Sequence, residues 1–125
     1  MRVRDIPRAM ASETSLVRAC LNVLALHRVM AWRNNTGGFY APSMRFIRFG
    51  KIGSSDIFSI LPGGTFMAIE AKRPDGRLSP AQAEFLRQVR DAGGYALLIT
   101  DAAALERWLV AWETGQTSRT GCVSR

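Results

Sequence analysis

The chain has 125 residues, 47% of them hydrophobic and 9% aromatic, and a formal net charge of +7. This describes one folded domain with a real core, and with no apolar run approaching ~18 residues it excludes a transmembrane helix. The charge points to a polyanionic partner, nucleic acid ahead of an anionic membrane.

Residues 1–11 are basic and lack the apolar stretch of a secretory signal, so a flexible N-terminus and a cytoplasmic location are expected. Two cysteines, Cys20 and Cys122, suit a reducing compartment; with a single histidine they furnish no standard zinc site. Ser12 caps a first helix predicted to run to about residue 29, with Leu16, Cys20, Val23, Leu24 and His27 as its apolar stripe. Glu13 falls in the first turn, where its plainest role is to meet the helix dipole. His27 reads as a helix-end residue. A strand is predicted over 30–35, then a break at Thr36-Gly37-Gly38. A long connection over 39–55 follows, with a second candidate strand at 44–49. In that connection Arg45, Arg48 and Lys51 are placed to contact phosphates, and Phe39, Tyr40 or Phe49 to stack or wedge; packing in a core or a dimer is the competing role for the aromatics.

The chain is organised around residues 54–72. Two apolar runs rich in strand formers flank Pro62-Gly63-Gly64, which predicts a β-hairpin with a three-residue loop. If pairing is symmetric about Gly63, Leu61 faces Thr65 and Asp56 faces Glu70. Alternation then puts Lys72 on the Glu70 face. Opposed carboxylates repel each other, and a shared divalent cation removes the repulsion. A lysine alongside orients or deprotonates a water and stabilises negative charge. The competing reading is a surface pair, Glu70 with Lys72, beside a turn aspartate. Against it, Glu70 and Lys72 close an apolar run and share a face with Phe66 and Ala68, so that face looks inward.

Residues 73–77 read as a turn carrying two exposed arginines, Arg73 and Arg77. Ser79-Pro80-Ala81-Gln82 opens a second helix with a capping box, and Gly93-Gly94 ends it. Gln82 is either the capping partner of Ser79 alone or also reaches a site at the strand ends. Residues 95–100 are a buried strand, and Asp101 caps a last helix to about residue 113. Residues 114–125 are expected to be a flexible tail. The fold class is α/β, a mixed sheet flanked by helices. Arg33, Arg45, Arg48, Lys51, Arg73 and Arg77 are the candidate DNA contacts.

Taken in order, Glu13, the run Trp32 to Gly37, Gly53-Ser54-Ser55-Asp56-Ile57, Pro62-Gly63-Gly64, Ile69-Glu70-Ala71-Lys72, the run Gly76 to Gln82, and Gly93-Gly94 resemble the VRR-NUC family of the PD-(D/E)xK nuclease superfamily. The superfamily's proline before the aspartate is replaced by Ser55. The resemblance implies a restriction-endonuclease-like core over 12–113. It implies Mg²⁺ or Mn²⁺ held by Asp56, Glu70 and the Ala71 carbonyl, and Lys72 as the catalytic lysine. Glu13 would add a carboxylate near the metal, and Gln82 would position water or substrate. Stand-alone members look like homodimeric resolvases of four-way (Holliday) junctions, whereas multidomain relatives act on 5′ flaps. A metal-dependent, structure-selective DNA endonuclease is therefore expected, leaving a 5′-phosphate and a 3′-hydroxyl. A 5′-flap or general DNA endonuclease of the same fold, or a non-catalytic basic DNA-binding module, is the alternative. A membrane-surface protein ranks last, because no helix is basic and amphipathic.

Overall fold

The computed structural model describes residues 12–117. The flexible segment expected at 1–11, the tail beyond 117 and Cys122 lie outside the described residues.

Helix α1, Glu13–Leu26, is capped by Ser12, whose Oγ accepts from the Ser15 N–H at 3.0 Å. Strands β1 (Met30–Arg33), β2 (Gly37–Tyr40), β3 (Phe46–Phe49), β4 (Ile57–Ile60) and β5 (Phe66–Ala71) follow. Helix α2, Pro80–Asp91, then leads to β6, Tyr95–Ile99, and to helix α3, Ala102–Glu113. Four strands form one sheet in the order β1-β4-β5-β6, while β2 and β3 pair only with each other. β1, β4 and β5 are antiparallel neighbours; β6 is parallel to β5, with α2 as the crossover. No helix among the described residues is long and apolar enough to cross a membrane.

The β4–β5 register is symmetric about Gly63, with Ile57 opposite Ile69 and Ile60 opposite Phe66. The turn enforces it. Gly63 and Gly64 stand at φ of 98° and 96°, a region closed to most side chains, and the Gly64 N–H bonds the Leu61 carbonyl at 2.8 Å.

Alternation along the strands separates two layers. Ile57, Met67, Ile69, Leu97 and Ile99 turn toward α1 and α3 and pack with Cys20, Leu24, Leu105 and Leu109. Phe58 turns the other way and stacks on Phe85 of α2, with ring centroids 6.0 Å apart. The inner strands are thus covered on both faces, as the continuous apolar run of β6 requires, while β1 at the edge stays largely exposed.

One element differs from the sequence reading. Residues 37–40 are a strand, where a glycine break and the start of a long connection are expected. Glycine disfavours strands because it offers nothing to pack. Here the partner strand supplies the cover: a Cβ on Gly38 would meet the Phe46 ring at 2.3 Å. The first and third strands are also shorter than expected, at 30–33 and 46–49.

Candidate active site

One residue beyond the last ladder pair of β4 and β5, Asp56 comes opposite Glu70. The Asp56 backbone is fixed from the other side, since its carbonyl accepts from the Asn34 N–H at 2.7 Å. Asn34 Nδ2 also donates to Ser54 Oγ at 2.8 Å and to the Ser55 carbonyl at 2.9 Å. Asp56 Oδ2 then accepts from the Ala71 N–H at 2.8 Å. That bond turns one carboxylate oxygen onto the β5 backbone. Gly53 brings this loop against α2: at φ 81° its α-carbon lies so close that an added Cβ would stand 2.5 Å from the Ala81 carbonyl oxygen.

Glu70 is the one buried acid among the described residues, 2% exposed. Its Oε1 accepts from Gln82 Nε2 at 3.2 Å, and its Oε2 is buried without a hydrogen-bond partner. Burial, followed by the nearby Asp56 carboxylate, pushes its pKa up to about 8; Lys72 opposes the shift and Glu13 adds to it weakly. An orphaned buried oxygen on an acid beside a second acid is a costly arrangement. Lys72 is half-buried, and its N–H extends the β5–β6 pairing to the Ile99 carbonyl at 3.0 Å.

Gln82 fills both roles weighed for it. Ser79 Oγ accepts from the Gln82 N–H at 3.1 Å, and the Ser79 N–H donates to Gln82 Oε1 at 2.9 Å, a complete capping box. With its oxygen held by Ser79, the amide must point its NH₂ at Glu70. The cap therefore sets the orientation of the side chain at the site.

Glu13 is exposed at the start of α1 and acts on Glu70 only through its charge. Among the described residues no three His, Cys, Asp or Glu side chains converge as a metal set. The two carboxylates and the Ala71 carbonyl, hard oxygen donors with one carboxylate oxygen orphaned, fit an oxygen-seeking divalent cation. Arg33, Arg45, Arg48, Lys51, Arg73 and Arg77 are all exposed. Arg45 and Arg48 lie on the β2–β3 hairpin or its turn, while Arg73 and Arg77 sit in the loop just after Lys72. The sequence places Asn34 in the run Trp32 to Gly37 that carries the family likeness but assigns it no role; its amide pins the loop before Asp56.

A four-stranded mixed sheet flanked by helices, with Asp, Glu-x-Lys and a helical Gln at one end of its central strands, defines a restriction-endonuclease-like core. The VRR-NUC domain model matches residues 13–101, well over half of the chain. The chain belongs to the VRR-NUC family, and so is a nuclease of the PD-(D/E)xK type with DNA as its partner. No curated protein and no solved structure matches it.

Proposed function

We propose that the protein is a divalent-metal-dependent DNA endonuclease that hydrolyses phosphodiester bonds at the Asp56–Glu70–Lys72 cluster. The observation that supports this best is Glu70 Oε2, buried and without a partner beside Asp56. A structural ion pair would have been satisfied; a donor set awaiting a cation would not. Asp56, Glu70 and the Ala71 carbonyl would hold Mg²⁺ or Mn²⁺, which when bound supplies charge for the scissile phosphate and lowers the pKa of a water.

The chain's own groups divide the remaining work. The Ala71 N–H fixes Asp56, and Gln82 fixes Glu70, so both carboxylates are oriented before substrate arrives. Lys72 orients the attacking water and stabilises negative charge on the phosphoryl oxygens. In-line attack leaves a 5′-phosphate and a 3′-hydroxyl. Glu13 adds negative charge at the edge of the cluster. Family likeness favours branched DNA as substrate, four-way junctions cut by a homodimer, because a two-fold dimer matches a two-fold junction. Flap cutting is the second reading.

The test is cleavage of labelled junction, flap, fork and linear duplex with Mg²⁺ or Mn²⁺, against EDTA. Asp56→Ala, Glu70→Ala and Lys72→Ala should each lower cleavage by about 10²-fold or more while DNA binding survives. Wild-type cutting by any of the three would sink the assignment.

A further inference from the structure

The β2–β3 hairpin does not join the main sheet, and every one of its eight strand residues is exposed. A lone two-stranded hairpin is marginally stable in water, so a face left this bare implies a partner. Register sorts its side chains. Phe39, Ile47 and Phe49 share one face, and Tyr40, Phe46 and Arg48 share the other.

The second face joins rings to positive charge. Tyr40 is 69% exposed and packs on Phe46 with centroids 5.1 Å apart. The Arg48 guanidinium carbon stands 5.5 Å over the Phe46 ring. Phe46 lies against the Gly38 backbone, so its position is set by the hairpin itself. From Thr36 to Ser55, the hairpin and its exit loop, the sequence holds no acid, only the cations Arg45, Arg48 and Lys51. Two copies of so positive an arm would repel each other, whereas a polyanion complements it.

Charge alone would suit any nucleic acid, but the exposed rings narrow the choice. Bases in a duplex have both faces covered by their neighbours; unpaired bases offer a free face to an aromatic side chain. The tip adds a second indication. Met44 is 77% exposed and is held at φ 66°, where glycine would be easier. Methionine is among the side chains that proteins press between the base steps of a duplex, so Met44 at the tip suits the paired edge beside an unpaired strand.

We propose that the β2–β3 hairpin is a single-strand arm, taking unpaired DNA bases on its Tyr40–Phe46–Arg48 face. This rests on the nuclease reading and gives it a substrate feature, unpaired bases near the cut, which among branched substrates favours a flap or fork over the fully paired four-way junction. Its root lies at the site, because the chain enters the hairpin after Asn34 and leaves it into the loop ending at Asp56. Tyr40 is six positions beyond Asn34, at most about 20 Å of extended chain, so the bases it holds lie within roughly six nucleotides of the cut.

The experiment measures binding of the full chain in EDTA, where no cleavage occurs. Fluorescence anisotropy is read with single-stranded, forked and blunt duplex DNA, the first two carrying 2-aminopurine in the unpaired strand. Wild type should prefer forked and single-stranded DNA over blunt duplex and quench the 2-aminopurine. Tyr40→Ala with Phe46→Ala should lose about 10-fold or more on forked DNA, little on duplex, and lose the quenching. Tyr40→Ala alone, at a highly exposed position, should show the same direction if the double variant does not fold. Equal losses on forked and blunt DNA, or no loss, would overturn the arm. So would a wild-type dimer that both variants turn into monomer, since a second copy would then cover this face. Failure of the nuclease reading looks different: wild-type protein that binds forked DNA selectively but cuts none with Mg²⁺ or Mn²⁺.

Discussion

Glu70 costs the fold stability, and the cost has a sign that can be measured. Its pKa is about 8 in the folded chain against an ordinary 4.5. Between those values the folded chain keeps a proton that the unfolded chain has released, so rising pH favours unfolding. The metal-free protein should lose stability from about pH 4.5 to about pH 8, in total on the order of 5 kcal/mol. Glu70→Gln removes this titration. In EDTA it should melt above wild type at pH 8.5 and close to it at pH 4.5, although cleavage is lost. A variant that melted lower at pH 8.5 would refute burial as the cause. Gln82 gives a second handle. Gln82→Glu keeps an oxygen for the Ser79 N–H, and a carboxylate suits a helix start, so stability should stay within about 1 kcal/mol. It also removes the donor to Glu70 and puts an acid beside it. Cleavage should fall about 10-fold or more and its pH profile should move to higher pH. An unmoved profile would mean that Gln82 does nothing beyond capping.

At the scale of elements, His27 ties the end of α1 to α3. Its Nδ1 meets Glu113 and its Nε2 meets Glu106, each at 2.7 Å, and the imidazole side chain is 12% exposed. The Glu113 bond does most to raise its pKa above 6.5; burial opposes it, and Glu106 adds to it. A raised histidine stabilises the fold below pH 6.5 and loses that contribution as pH rises through the folded value. His27→Gln should therefore cost about 1 kcal/mol at pH 5.5, discounted for the half-exposed glutamates, and much less at pH 9. Urea unfolding at the two pH values reads this; an equal cost at both would show a packing effect instead. The sequence places His27 at a helix end but not in this clamp, because its partners are 79 and 86 residues away. The β4–β5 register was legible because a glycine turn fixes it locally. The β2 strand was not, because what makes its glycines tolerable is the rings of Phe46 and Phe49 on the partner strand.

For the whole molecule, charge governs encounter with DNA. A net +7 predicts binding that weakens steeply with salt. Arg73→Ala and Arg77→Ala, in the loop after Lys72, should each reduce the slope of log K against log salt by about one if each neutralises a phosphate. An unchanged slope would place DNA elsewhere on the surface. The general plan, a crossover helix between two parallel strands with a buried acid at their end, could be read from turn signals and alternation. The detachment of the hairpin could not, since nothing local separates a strand that joins a sheet from one that stands off it.

That detachment has a consequence for lineage. The cutting sheet closes directly from β1 to β4, and the Asn34–Asp56 backbone bond clamps the excursion where it leaves. The hairpin from Gly37 to Phe49 can lengthen, shorten or change its chemistry without disturbing the strands that hold the acids, provided Gly53, Ser54 and Ser55 keep the loop that places Asp56. Descendants of such a chain can acquire new targets by exchanging one cassette, while the reaction they carry stays as it was.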